Sequence, residues 1–317
     1  MKRHQQVLAG VLALQVILAL VVFWPRKAIT SSGELVFADL EIEDVVSLSL
    51  ADNQGEHMTL RKIEGRWVVP DAGNYPVNES NVVALLEKLA RVAQTSLVAR
   101  TEASHRPLQV SDDVFQRRLE VETVGGQTKT LYLGSAPRYA ATHLRVAGEV
   151  ETYLTTEVAA HDINVRFPAW VDTAYAHVDQ ATITRLVLEN EQGSYELVRD
   201  GDSWTLADLA EGEEVAEGST SAILRNASAL TLLKPLGTTE DPSYELDAPL
   251  AVVRIYTEEG EEHVLTVGAR ITSDNSYVVK SSASPYYVRV AEFSVQAMVQ
   301  NDRADFLADP EAMLDLP

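Results

Sequence analysis

Seven histidines, at 4, 57, 105, 143, 161, 177 and 263, are the first candidates for chemistry in this chain. Zinc enzymes place two of them a helical turn apart, and nucleophilic hydrolases set one beside a Ser within a strained elbow. Neither spacing occurs, and neither does a phosphate-cradling Walker loop. Cysteine is absent, which removes thiolate catalysis, cysteine zinc sites, disulfides and a cysteine-borne lipid anchor. Carboxylates are plentiful. Asp208, Glu211, Glu213, Glu214 and Glu217 could gather a hard cation, yet they lack the alternating D-x-D-x-D-G order of a calcium loop and read as a solvated loop. Glu258, Glu259, Glu261 and Glu262 crowd one turn, whereas glycoside hydrolysis needs two carboxylates facing each other across a substrate. Trp67 and Trp204 could stack a ligand, but an aromatic on a strand after a Gly turn usually packs the core. Asn78-Glu79-Ser80 and Asn226-Ala227-Ser228 fit the glycosylation pattern and are equally explained by helix capping and chance. The expectation is a protein that is not an enzyme, with no catalytic, cofactor-binding or metal-ligating residue and no cofactor.

Charge narrows the partners. Against 26 Lys and Arg stand 47 Asp and Glu, for a net charge of −21, and every acidic residue follows position 33. Phosphate backbones need clustered cations, so nucleic acid is excluded as an expected partner, and docking on anionic lipid is disfavoured. With 317 residues, 46% of them hydrophobic, the chain can build two ordinary domains.

Val7 to Trp24 is an uncharged stretch containing one amide, Gln15, flanked by Lys2, Arg3 and His4 on one side and Arg26 and Lys27 on the other. As a helix it would extend roughly 27 Å, close to the hydrocarbon thickness of a bilayer. Trp24 would sit at the interface, Pro25 would end the helix, and Gly10 and Ala13 would offer a small-residue face to a neighbouring helix. A cleaved signal peptide has a similar outline. It would need small residues where Trp24-Pro25-Arg26-Lys27 stands, so an uncleaved anchor is expected. The flanking basic residues tie, and the short tail before the helix places the bulk of the chain outside the cytoplasm.

The rest of the chain repeats itself. An offset of 138 residues lays Phe37 to Glu41 over Tyr175 to Asp179, Leu48-Ser49-Leu50 over Leu186-Val187-Leu188, and Ala84-Leu85-Leu86 over Ala222-Ile223-Leu224. With a one-residue slip TLRKIEGRW, ending at Trp67, meets ELVRDGDSW, ending at Trp204; at 134, Leu131 to Gly134 meets Leu265 to Gly268. Matches in order, with slips in loops, imply two copies of one domain. The expected organisation is a tail and transmembrane helix (1–27), a linker (28–36), repeat 1 (37–170), repeat 2 (171–308) and a C-terminal tail (309–317).

Within each copy, Val46, Leu48 and Leu50 alternate with small or polar residues before the D-N-Q-G turn at 52–55, which predicts a hairpin, and a third strand carries the tryptophan. Asn78 and Ser80 are capping types ahead of a helical stripe of Val82, Leu85, Leu86, Leu89, Val92 and Ala93, repeated as Ile223, Leu224, Ala227 and Leu230. A second hairpin comes next, turning at Gly125-Gly126 and at Glu258 to Glu261, then two shorter strands. The predicted class is α+β: an N-terminal transmembrane helix followed by two tandem units of mostly antiparallel sheet with one main helix each. Leu48, Leu50, Trp67, Leu85, Leu89, Leu186, Leu188, Trp204, Ile223 and Leu230 form the expected repeat core, and Phe167 to Tyr175 a connector.

The phrase LVFADLEIEDVVSLSL (35–50), the strand LRKIEGRWVV (60–69) and LYLG (131–134) resemble the bacterial family labelled domain of unknown function 4340. That resemblance implies a neighbourhood more than an activity: an ABC-type permease, its ATPase and a gliding-motility-type auxiliary protein. It carries no catalytic residue. The expected function is an inner-membrane, periplasm-facing accessory subunit of an ABC transport complex. The alternatives are a module binding an envelope glycan or lipid between the repeats, and an envelope hydrolase.

If the anchor is uncleaved, N-terminal sequencing of the chain extracted from membranes will read from the first residues; a start beyond Trp24 would mark a signal peptide.

Overall fold

The computed structural model describes residues 33–38 and 40–308. Val7, Gly10, Ala13, Gln15 and Trp24 of the expected anchor, and the tail at 309–317, lie outside the described residues. Among the described residues no helix is long and apolar enough to cross a membrane.

Alternating apolar residues produce strands, and the strands form two nine-stranded antiparallel sheets. The first contains β1 (Val45–Asp52), β2 (His57–Ile63), β3 (Arg66–Val69), β4 (Tyr75–Pro76), β5 (Ser96–Ala99), β6 (Arg117–Thr123), β7 (Thr128–Leu133), β8 (Thr142–Val146) and β9 (Thr152–Thr155), in the order β4-β3-β2-β1-β6-β7-β8-β9-β5. The second contains β10 (Ala174–His177), β11 (Ile183–Asn190), β12 (Gly193–Asp200), β13 (Ser203–Leu206), β14 (Ala229–Gly237), β15 (Ala251–Thr257), β16 (Glu262–Ile271), β17 (Ser276–Ser281) and β18 (Tyr287–Ala291). Its order from the opposite edge is β13-β12-β11-β15-β16-β17-β18-β14-β10, so eight strands correspond one to one. The sheets differ only at their edges.

The centre of each sheet is an apolar ladder. Leu48 lies between Leu60 and Val121, and Leu50 between Met58 and Leu119; the equivalent Leu186 lies between Leu197 and Ile255, and Leu188 between Tyr195 and Val253. These leucines are buried, each contributing about 1.5–3 kcal/mol of transfer free energy. Helix α1 (Glu79–Ala90) buries Val82, Leu85, Leu86 and Leu89, and Asn78 caps it by accepting from the Ser80 N–H at 3.2 Å. Helix α2 (Glu217–Ser228) buries Ile223, Leu224 and Ala227.

Three expectations change. The helical stripe is shorter than its apolar spacing: α1 ends at Ala90, before Val92 and Ala93, and Leu230 is buried on β14, the strand that succeeds α2 directly. An apolar residue two places past a helix end can face the core from a strand as well as from a further turn. Unit 2 also has a second helix, α3 (Glu292–Gln300), burying Val295 and Met298. The segment 167–175 is packed: Trp170 and Val171 are buried, the Trp170 carbonyl accepts from the Asn78 N–H at 2.6 Å, and the Trp170 Nε1–H donates to the Asn164 carbonyl at 2.6 Å. At the other end, Val36 donates to the Val92 carbonyl and Gln94 to the Glu34 carbonyl, just as β10 pairs with β14.

The repeated glycine of LYLG and LTVG has a steric cause. A Cβ on Gly134 would stand 2.1 Å from the Leu108 carbonyl oxygen, and one on Gly268 would stand 2.1 Å from that of Tyr244. The crossing chain turns there through a left-handed residue in both units, Gln109 (φ 59°) and Glu245 (φ 53°). A backbone passes over each strand where no side chain fits.

The units meet through backbone as well. A Cβ on Gly73 (φ 67°) would lie 2.7 Å from the Gly237 Cα. Beside it, the rings of Tyr75 and Tyr286 meet edge to face at 4.7 Å, and the Tyr286 hydroxyl donates to the Asn74 carbonyl at 3.1 Å. The Tyr175 hydroxyl donates to the Tyr286 carbonyl at 2.6 Å and accepts from the Ser281 N–H at 2.8 Å. Burial pushes its pKa up to about 12, so it remains a donor throughout the physiological range.

Gly134→Ala and Gly268→Ala should each lower unfolding free energy by about 1–3 kcal/mol or more, since a carbonyl must move. Gly218→Ala, in open space within α2, should be neutral or stabilising by about 0.5–1 kcal/mol. Urea titration of the three variants measures the contrast.

Candidate binding groove in the second unit

The two tryptophan strands have different neighbours. In unit 1 the outer side of β3 is closed by β4, with Val68 opposite Pro76 and Val69 opposite Tyr75, and the Val77 N–H donates to the Trp67 carbonyl at 3.0 Å. In unit 2 the residues at the β4 position are Glu213 and Glu214. Two carboxylates cannot replace an aromatic and a proline against an apolar strand without losing hydration. The segment turns instead to the C-terminal side: Val215 bridges to Leu307, and the Ala308 N–H donates to the Glu214 carbonyl at 2.8 Å. Arg303 holds it there, donating from Nη1 and Nη2 to the Glu213 carboxylate at 2.8 and 2.6 Å and from Nε to Asp208 at 3.3 Å.

A groove remains where the strand would have been. It encloses about 470 Å³ between β13 and the first turn of α2, and its lining includes Trp204, Thr205, Leu209, Glu214, Glu217 and Thr220. β13 is an edge strand, pairing with β12 through Val198–Thr205 and Arg199–Trp204. Trp204 is consequently half-buried, whereas Trp67 is 6% exposed. At the groove wall Thr220 is 2% exposed, and its hydroxyl has no hydrogen-bond partner among the described residues. A buried hydroxyl without a partner costs about 1–3 kcal/mol, which a bound acceptor or donor would recover. Helix α2 begins at Ala216 without a side-chain cap, unlike the Asn78 cap of α1.

Comparison with known proteins adds one finding. The model of the family described as Domain of unknown function (DUF4340) matches residues 67–249, more than half of the chain. The chain belongs to the DUF4340 family. No curated protein matches it, and no solved structure does. The DUF4340 match runs from the Trp67 strand through the junction to the residues before β15, and therefore includes β13, α2 and the whole groove.

Several other polar groups of this DUF4340 chain have structural partners, although the buried Thr152 hydroxyl, like that of Thr220, has none among the described residues. Ser135 Oγ and His143 Nδ1 lie 3.1 Å apart, the geometry a hydrolase would use, but Ser135 Oγ also donates to the Leu108 carbonyl at 3.3 Å. Using its proton on that carbonyl makes the serine an acceptor from the imidazole, the reverse of nucleophile activation. His105 Nε2 lies 2.8 Å from the Val150 carbonyl. Arg145 is buried, stacked 4.6 Å over Tyr132, donating to the Val110 carbonyl at 2.6 Å and paired with Asp112, whose carboxyl it holds below the usual range. A cavity of about 320 Å³ lies beside Phe37 and Lys129, with the Lys129 ammonium bonded to the Val36 carbonyl. Glu258 and Glu259 stand exposed at the tip between β15 and β16. Among the described residues no three His, Asp or Glu side chains converge as a metal site.

Of the residues expected in the core, Leu48, Leu50, Trp67, Leu85, Leu89, Leu186, Leu188, Ile223 and Leu230 are buried, and Trp204 packs against the core while facing the groove. The acidic loop offered a cue to the groove, since Glu213-Glu214 stands where the first copy has Tyr75-Pro76; Thr220 offered none.

The Glu213–Arg303 pair has a defined pH dependence. Hydrogen bonds from Arg303 lower the Glu213 carboxyl to about 2 from an ordinary 4.5. A depressed acid stabilises the fold fully above its unfolded pKa and loses that contribution as pH falls through the folded one. The stability difference between the wild type and Arg303→Gln should hold from neutrality to about pH 5 and close toward pH 2. Urea midpoints taken across that window test it; a gap still open at pH 2 would contradict the assignment.

Proposed function

We propose that this DUF4340 chain is a membrane-anchored, non-catalytic accessory subunit of an ABC-type transport complex, acting through its surfaces. Its folded units would lie in the periplasm, with the apolar stretch 7–24 in the inner membrane against permease helices. The observation that carries this reading is the way the two sheets are joined. Gly73 against Gly237 and Tyr75 against Tyr286 bring backbone and rings of the two units into direct contact. Such a junction presents outward faces at a fixed spacing, as an adaptor between partners requires. The strongly acidic composition, with a net charge of −21, suits protein partners better than nucleic acid or anionic lipid. The partners proposed are the permease, its ATPase and a gliding-type auxiliary protein.

Affinity purification of the full-length chain from native membranes in mild detergent, followed by mass spectrometry, should recover a permease and an ATPase at comparable abundance. Recovery of the chain alone with its N-terminal segment intact would overturn the assignment.

A further inference from the structure

The fold supplies its own template for what belongs in the groove. In unit 1 the outer edge of the tryptophan strand is occupied by an antiparallel extended segment, and the Trp67 carbonyl accepts its hydrogen bond from that side. The equivalent edge, at Trp204 and Thr205, faces open space of about 470 Å³, because Val215 has been drawn off toward Leu307. Edge strands left open in this way are templates for an added strand.

Charge selects the occupant. Asp202, Glu213, Glu214 and Glu217 line the groove together with Trp204, and among the described residues no Lys or Arg lines it. Glu213 is already paired with Arg303, while Asp202, Glu214 and Glu217 are exposed. An alkylammonium or guanidinium lying over the half-buried indole would gain both cation–π attraction and ion pairing. The sequence at 309–317, which follows Ala308 beside Glu214, carries three acidic residues and no basic one, so its charge does not complement the groove. The buried hydroxyl of Thr220 is the independent sign of a missing polar partner at the same wall.

We propose that the groove beside β13 receives an extended basic segment of a partner protein, which pairs its backbone with the β13 edge and places a Lys or Arg side chain against Trp204, Glu214 and Glu217. This rests on the reading of the chain as an interaction subunit, and assigns the contact to unit 2. The first copy's Tyr75-Pro76 closes the equivalent position, so the two units have separate roles.

The test uses the full-length chain in detergent and fluorescein-labelled octapeptides alternating Lys or Arg with Val or Thr, read by anisotropy. Saturable binding is expected, reduced at least tenfold by Glu214→Lys with Glu217→Lys. It should change less than twofold with Glu258→Lys plus Glu259→Lys, an equal charge change at the distant hairpin tip. Peptides N-methylated on alternate backbone nitrogens should also bind at least tenfold more weakly. Absence of saturable binding, equal losses in the two charge-reversed pairs, or unimpaired N-methylated peptides would overturn the proposal. Binding that appears only after removal of 309–317 would make the tail the occupant and overturn it equally. Recovery of a permease by purification is read separately, so failure of the groove and failure of the transport assignment are distinguishable.

Discussion

Each unit of this protein is organised by a place where one backbone must lie directly on another. At Gly134 and Gly268 the sheet is crossed by a carbonyl so close that even a methyl group is excluded. The crossing chain reaches that position only by turning through a left-handed residue, and both units spend a non-glycine residue on it. In unit 1 the contact is tied on both sides: the Ser135 N–H donates to the Leu108 carbonyl at 3.0 Å, and the Gly134 N–H donates to the His143 carbonyl at 2.9 Å. A side chain here would lift the turn from the sheet and uncover the apolar ladder below it.

Between the two units the differences in strand order lie at the edges. The centres keep the same apolar ladders because each leucine contacts residues of two neighbouring strands, and a change of volume must be answered on both sides. An edge strand has one neighbour and fewer constraints. There, Tyr75-Pro76 in one copy stands against Glu213-Glu214 in the other, the first pair closing a sheet and the second leaving it open. One unit thus has a sealed edge, whose corner packs on the other unit through Gly73, and the other has an open edge. Closure of the first makes the joint; openness of the second makes the groove.

The helices show the same economy. The Asn78 N–H in unit 1 and the Ala216 N–H in unit 2 both donate to a late turn of their unit, at Trp170 and Phe306 respectively. These turns tie the start of each main helix to a segment far along the chain. In unit 1 the tying residue lies in what the sequence alone presents as a connector. The junction between the units is for that reason part of the fold of the first.

The sequence by itself determined the antiparallel α+β class, the hairpins and the core faces, and its internal similarity anticipated two sheets of matching strand order. These depend on patterns of period two or three to four, whose physical basis lies within a few residues: Leu48 and Leu50 had to share a face, and Asn78 had to cap the helix that begins beside it. Only the tertiary structure decided where the helices stop, since Leu230 satisfies a helical stripe and a strand face equally well. It alone decided that Trp67 is sealed and Trp204 open, because burial of each depends on which distant segment reaches its strand. That outcome turned on Arg303 capturing Glu213 from 90 residues away, a contact that no local periodicity encodes.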